Sequence, residues 1–326
     1  MENLCSEQVM LHDLLKTCHR QFGFHVVETH PIKRGWLNLK WKVTTDTGVF
    51  LIKQYNKERY KLYNHEELVR AFHQQMRLYN SGVPCPMLLS YEEEFLFHSD
   101  NGELFIVMEY CNGDTVPPGQ VNARQMFHLG QLTGYTHQVL NDGTLGKRNR
   151  PEFVPPSREE RILHWKSVWN QAHHPNLPPI LETQIRMTEL VNLDEFNAIE
   201  TGWAHRDLWV DNVLFRGSHV SAILDLDRLK FDYPQLDVAR AVISGALANG
   251  ELDVSLASAF IEGYGEYHSV EKGFLTNALK LLWYMESPWW ITAKMDKHTG
   301  PPKRFAEEMI WLANNYGKLE LLLKNI

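Results

Sequence analysis

The 326-residue chain has no uninterrupted apolar run of about eighteen residues, the length that a membrane-spanning helix requires. Its start, MENLCSEQVM, carries two acids where an export signal would place basic residues ahead of an apolar stretch. The expectation is a cytoplasmic chain that does not engage a membrane. Cysteine is sparse, and Cys5, Cys18, Cys85 and Cys111 form no CxxC spacing, so they read as reduced thiols rather than a disulfide scaffold or a metal set. No block of about five like charges occurs, and 33 Lys and Arg against 40 Asp and Glu leave a net charge of −7. A nucleic-acid-binding surface or polybasic membrane anchor is therefore not expected. Two histidines adjoin in AHHP (172–175), but no HExxH pattern accompanies them, which argues against a zinc site. Internal repeats and low-complexity tracts are absent as well.

What is present is enough apolar residue, 44% of the chain, to build two packed lobes. Residues 6–21 carry Val9, Leu11, Leu14, Leu15 and Cys18 at helical spacing behind Ser6 as a cap. LNLKWKVTTDTGVFLIKQY alternates apolar and polar residues about an Asp46–Gly48 turn signal, which predicts a β-hairpin with Lys53 in its second strand. A helix capped by Asn64 follows over 64–80, and two or three strands then surround an Asn101–Gly102 turn. The predicted organisation is an N-terminal α+β lobe over 1–110, a Gly- and Pro-rich linker over 111–120 and a helical lobe over 121–326. Helices are expected at 121–140, 158–172, 182–199, 236–248, 254–264, 271–287 and 302–323. Two short apolar runs about RGSH predict a hairpin within that second lobe.

The segment WAHRDLWVDNVLF (203–215), followed by ILDLDRL (223–229), gathers His205, Asp207, Asn212, Asp225 and Asp227 among apolar neighbours. Polar groups in such surroundings are costly unless they are paired or bind something. A carboxylate beside an attacking hydroxyl, with an Asn and a second carboxylate on a divalent cation, is what phosphoryl transfer asks of a protein. Asp207 then acts as catalytic base or orients the nucleophile, and Asn212 and Asp225 are ligands of Mg²⁺, a cation that takes hard oxygen donors. The blander alternative is a polar loop in which these residues serve as caps and turns.

The tract resembles the catalytic loop and metal-binding segment of the protein-kinase-like superfamily. Within it, the similarity is to the branch of aminoglycoside phosphotransferases, choline kinases and homoserine-kinase-like enzymes. HRDLWVDNVLF and ILDLDRLKFDYPQLDVARA look most like the spore-coat-associated kinase-like proteins. The resemblance runs from about Gly35 to the helix after Asp237 and implies a two-lobed α+β kinase-like fold. It further implies ATP or GTP and Mg²⁺ as cofactors, a small-molecule or saccharide acceptor, and spore-coat proteins and the spore coat as a further partner and location.

By that resemblance Lys53 holds the nucleotide phosphates, with Glu67 as its partner, although Glu66 and Glu67 also read as an acidic first helical turn. A Lys at a strand end can equally be one that only extends its head to solvent. KRGWLNLKWKV has no GxGxxG, so backbone groups around Gly35 and Asn38 would have to cradle the phosphates. LFIVMEYCNGD resembles the base-holding strand and linker, with Met108 before the linker and the Glu109 carbonyl and Cys111 amide as bonding groups. Asp227 either reaches a second metal or pairs with Arg228. His205 becomes a structural member of its loop, and Asp237 a helix cap that buttresses that loop.

Nine residues separate Asp227 from Asp237 and contain no Ala-Pro-Glu signature, which leaves no room for a peptide-docking activation loop. About eighty mostly helical residues, 120–200, stand in its place, and the resemblance to the phosphotransferases implies that this insertion, with the C-terminal helices, walls a pocket for a hydroxyl-bearing small molecule. In LKLLWYMESPWWITAKM, Trp283, Tyr284, Glu286, Trp289 and Trp290 read either as an aromatic and acidic wall for a sugar or a cationic amine or, in preference, as a helix whose Trp residues fill core, with Glu286 kept as the candidate to recognise an amine on the acceptor. The resulting expectation is a small-molecule kinase, and the rival is a weakly active or inactive kinase-shaped coat component.

Overall fold

A computed structural model of the chain describes residues 2–33, 38–61, 64–146, 148, 150–172 and 174–326. Two compact units emerge: Met1–Gly113 together with Ser221–Arg228, and Asp114–Val220 together with Leu229–Ile326.

The first unit contains α1 (Glu2–Phe22), β1 (Val26–Pro31), β2 (Leu39–Thr45), β3 (Val49–Tyr55), the short α2 (Lys57–Tyr60), α3 (His65–Asn80), β4 (Phe97–His98) and β5 (Leu104–Glu109). The strands form an antiparallel sheet in the order β1-β2-β3-β5-β4. Strand alternation divides its side chains between two cores. Trp41, Val43, Ile52, Phe105 and Val107 pack with Leu14 and Cys18 of α1, whereas Tyr55, Leu104 and Ile106 pack with Leu68 and Phe72 of α3. Lys53 lies on the second face, two residues before Tyr55. Asn64 caps α3 by accepting from the Glu67 amide, as its sequence predicts.

Two details differ from expectation. The leading helix begins at Glu2, so Ser6 lies inside it and is not its cap. β1 has no counterpart among the predicted strands: VVETHP is largely exposed and shows no alternation, as suits an edge strand with one hydrogen-bonded neighbour. The segment Ser221–Arg228 joins this unit through the Ile223 amide, which donates to the Pro84 carbonyl at 2.8 Å, and through packing of its 3₁₀ turn, Leu226–Arg228, on α3.

The second unit contains α4 (Ala123–Leu140), α5 (Arg158–Asn170), α6 (Leu177–Leu190), α7 (Leu193–Asn197), β6 (Gly202–Ala204), β7 (Val213–Arg216), the start of β8 (His219–Ile223), β9 (Lys230–Asp232), α8 (Pro234–Ala246), α9 (Val254–Gly265), α10 (Phe274–Trp290), α11 (Pro301–Asn315) and α12 (Leu319–Leu322). The helix expected over 182–199 is two helices, because Val191 is extended and Asn192 caps α7 by accepting from the Asp194 amide. α8 starts at Pro234, with Tyr233 in the cap position, so Asp237 is not a cap: it sits one turn inside, and its side chain is committed elsewhere.

α8 is buried along most of its length and packs with α4, α9 and α10. α4 and α9 cross with almost no space between their backbones. A Cβ at Gly130 would lie 1.9 Å from the Phe260 carbonyl oxygen, and one at Gly263 would lie 2.1 Å from that of Phe127. α8 packs beside this tight crossing and carries Asp237 and Ser244, which bond the segment after β6. No helix among the described residues is long and apolar enough to cross a membrane.

Candidate active site

In the first unit, Lys53 is 4% exposed and its ammonium is directed at the ILDLD segment. Nζ donates to Asp225 Oδ1 at 2.9 Å and to Asp227 Oδ2 at 2.7 Å, and the Tyr55 hydroxyl donates to Asp227 Oδ2 at 3.1 Å. The buried strand end at Ile223 leads into Asp225, whose φ is 59°, a left-handed conformation uncommon outside glycine. The 3₁₀ turn that follows buries Leu226 and brings Asp227 onto the same ammonium.

Lys40, the β2 partner of Lys53 across the ladder, adds a second cation, with Nζ 3.4 and 3.2 Å from the two Asp225 oxygens. Burial alone would weaken all these charges, but their mutual attraction outweighs it. Lys53 is raised above the usual lysine range by Asp225 and Asp227, and both carboxyls are held below the usual carboxylate range, Asp225 by Lys53 and Lys40 and Asp227 chiefly by Lys53.

In the second unit, β6 ends at Ala204 and runs into His205, Arg206 and Asp207. The buried Asp237 carboxylate receives this turn: Oδ2 accepts from the His205 amide at 2.7 Å and Oδ1 from the Arg206 amide at 2.8 Å. Arg206 is left-handed, φ 69°, which lets two successive amides point at one side chain. Its own side chain pairs with Asp232 at 2.7 Å and lies over the Phe153 ring. The His205 ring accepts the Asp207 amide at Nδ1, 3.1 Å away. Asn212 then donates from Nδ2 to both the Asp207 carbonyl, 2.8 Å, and Asp207 Oδ2, 3.2 Å. The intervening turn is tied to α8 by the Val210 amide, which donates to Ser244 Oγ at 3.0 Å.

Asp237 is itself held by Arg240 at 2.9 Å and by His137 Nε2 at 3.2 Å, and His137 Nδ1 meets the Tyr264 hydroxyl at 3.2 Å. Burial works against the Asp237 charge, but the His137 hydrogen bond and the Arg240 charge prevail and lower its carboxyl to about 2. His205 is therefore anchored through both backbone and ring, while Asp207 is the acid that this framework presents.

The remaining expected residues fall as follows. Gly35 lies outside the described residues. Asn38 spends Oδ1 on the Asn56 amide, 3.2 Å away. Glu67 contributes its backbone amide to the Asn64 cap, while Lys53 is engaged by the two aspartates. Met108 and Glu109 end β5, the Glu109 amide donating to the Met87 carbonyl at 2.8 Å, and Cys111 follows half-buried, with burial pushing its thiol up to about 11. Glu286, expected to face an acceptor, is 2% exposed and bonded to the Arg240 guanidinium, so its carboxylate neutralises a buried cation instead. Trp283 and Tyr284 are core, bonded to Gln184 and to the Pro156 carbonyl, whereas Trp289 is 45% exposed. Asp227 pairs with Lys53 and Tyr55 as well as feeling the Arg228 charge.

Lys40, Tyr55, His137, Arg240 and Ser244 escaped the sequence reading. Only Lys40 had an accessible signal: counting outward from the Asp46–Gly48 turn places it opposite Lys53.

Each unit, taken by itself, carries an oxygen donor of the kind that Mg²⁺ takes: Asn212 in the second and Asp225 in the first. Asn212 spends its amide nitrogen on Asp207, which leaves its carbonyl oxygen as the end available to a hard cation. Asp225 supplies a carboxylate that stays charged. Among the described residues no group of three or more His, Cys, Asp or Glu could hold a metal alone.

The model of the phosphotransferase enzyme family (APH) matches residues 28–274, and the chain belongs to that family. It is 25% identical over 211 residues to a homoserine kinase of Bartonella henselae, an alignment that covers 64% of this chain and 61% of that enzyme. Among solved structures, choline kinase from Cryptosporidium parvum Iowa II superposes with a TM-score of 0.60 at 15% identity, covering 94% of this chain and 95% of that one. A spectinomycin phosphotransferase in complex with ADP and spectinomycin gives 0.57 at 15% identity, covering 97% and 98%. The likeness establishes the two-lobed kinase-like fold, with its antiparallel N-terminal sheet and helical C-terminal part, that the sequence predicted.

Proposed function

We propose that the protein transfers the terminal phosphoryl group of ATP or GTP, with Mg²⁺, to a hydroxyl of a small molecule. The observation that carries this reading is the Lys53–Asp225 ion pair, which joins a buried ammonium and a partly buried carboxylate 172 residues apart in sequence at a left-handed Asp225. A purely structural role needs neither charge, since a buried pair contributes little net stability over apolar replacements. The ADP and the homoserine named for its relatives support a nucleotide donor and a small hydroxylated acceptor.

In this reading Lys53 binds donor phosphate oxygens and Asp227 keeps its ammonium in place. Asp207 orients the acceptor hydroxyl and takes its proton as the acceptor oxygen bonds to phosphorus and the bond to the nucleotide's leaving oxygen breaks. Asn212 and Asp225 would hold Mg²⁺, which when bound neutralises charge on the phosphates. His205, Arg206 and Asp237 hold the loop. Asp207→Ala should abolish transfer while nucleotide still raises the melting temperature. Equal turnover by Asp207→Ala with an acceptor from a hydroxylated-metabolite panel, homoserine included, would refute the role of Asp207.

We further propose a spore-coat association, supported by the likeness of residues 205–215 and 223–241 to the spore-coat-associated kinase-like proteins. A kinase-shaped coat component without activity would show no Mg²⁺-dependent stabilisation by ATP or GTP.

A further inference from the structure

Lys40 and Lys53 are direct partners across β2 and β3, so both side chains leave the sheet on one face, and both ammonium groups reach Asp225. They are held unequally. Lys53 sits between two carboxylates, at 2.9 Å from Asp225 and 2.7 Å from Asp227, with its side chain 5% exposed. Lys40 straddles the two oxygens of Asp225 at longer range, 3.4 and 3.2 Å, with its side chain 16% exposed. An ammonium bridging both oxygens of one carboxylate stands where a cation chelated by that carboxylate would stand.

We infer that Lys40 is a displaceable counter-ion: a tethered ammonium that occupies the cation position of Asp225 and must leave when a divalent metal binds there. The inference rests on the reading of Asp225 as a metal ligand. A divalent cation on Asp225 adds two positive charges beside two ammonium groups, and like charges at this range repel. The group with the weaker hold and the better access to water yields. Lys53 retains Asp227 and stays, whereas the long Lys40 stem lets its head swing into solvent. The metal therefore competes with Lys40, and the wild-type site binds it more weakly than the same site without that amine.

The test is Mn²⁺ binding to the nucleotide-free protein, read by the loss of the free-ion electron paramagnetic resonance signal. Wild type, Lys40→Met, Lys40→Arg and Asp225→Asn are compared after each is shown to melt cooperatively. Lys40→Met should bind Mn²⁺ about fivefold to tenfold more tightly than wild type, and Lys40→Arg, which keeps the charge, should remain near wild type. Asp225→Asn should remove the site. Equal Asp225-dependent affinities in wild type and Lys40→Met overturn the displaceable counter-ion and leave the phosphotransferase reading intact. Mn²⁺ binding that ignores Asp225→Asn in every variant overturns both this inference and Asp225 as a metal ligand.

Discussion

Asp237 offers the sharpest test of how the second unit holds Asp207. Its two oxygens accept the His205 and Arg206 amides, Arg240 Nη1 and His137 Nε2, all in a fully buried setting. Protonating the carboxylate and deleting it have different costs. A carboxyl lowered from its ordinary 3.8 to about 2, at about 1.36 kcal/mol per pKa step, represents about 2 kcal/mol of preference for the charged form. Because the folded value is depressed, that stabilisation is complete above 3.8 and is lost as pH falls through about 2. Asp237→Asn removes the charge but keeps one acceptor, and should cost at least about 2 kcal/mol at pH 7. Asp237→Ala strands two backbone amides and unbalances Arg240, so about 3–5 kcal/mol is expected. Urea unfolding measures both, with the slope compared between variants because two units need not melt as one. Hydrogen exchange at the His205 and Arg206 amides supplies a local reading and should accelerate in both variants. A loss below about 1 kcal/mol in Asp237→Ala, with those two amides still protected, would refute the argument.

Two further perturbations test other parts of the unit. The Glu308 carboxyl is pushed up to about 8 by burial, against the opposing Arg304 charge and with Asp211, Glu286 and Glu307 adding to the rise. The folded state thus holds an extra proton between about 4.5 and 8, and stability should fall as pH rises through that window; Glu308→Gln should flatten the fall and melt higher than wild type at pH 8.5, and parallel melting curves would contradict it. Gly130→Ala drives a methyl into the Phe260 carbonyl and should cost about 1–3 kcal/mol or more by chemical denaturation, whereas Gly317→Ala, with nothing near its Cβ, should stay within about 0.5 kcal/mol of wild type.

The site was legible where its chemistry is local. Asp207 and Asn212 lie five positions apart on one turn and touch, so their types and spacing carry the contact. Asn192 was missed although its signal is local: it caps α7, and its side chain reaches Glu195 three positions on, but the helical period across 182–199 obscured that cap. Glu286 was not legible, because its partner Arg240 lies 46 residues away on another helix and no local pattern marks an acid between Met285 and Ser287 as facing it. Lys40 was intermediate, since hairpin register places it opposite Lys53 but says nothing of the aspartate both reach.

The two left-handed residues at the site bear on how its acids should be replaced. Glu92, Glu93 and Asn249 also have positive φ, but they are exposed turn residues, whereas Arg206 and Asp225 are at least partly buried and held by charge networks. Such a backbone is retained because its surroundings over-determine it. Asp225→Ala therefore removes two things, a carboxylate and a side chain tolerant of left-handed backbone, whereas Asp225→Asn removes the charge alone, Asn being among the few residues that enter that region readily. Both variants release Lys40 and Lys53 from the same lost charge, so their difference isolates the backbone cost. Asp225→Ala should be less stable than Asp225→Asn by about 1–2 kcal/mol, and both should lose Mg²⁺-dependent stabilisation by nucleotide to a similar extent. If the two melt alike, the left-handed Asp225 is not a strained conformation that the ion pairs maintain, and Lys53 and Lys40 neutralise the carboxylate without fixing its backbone.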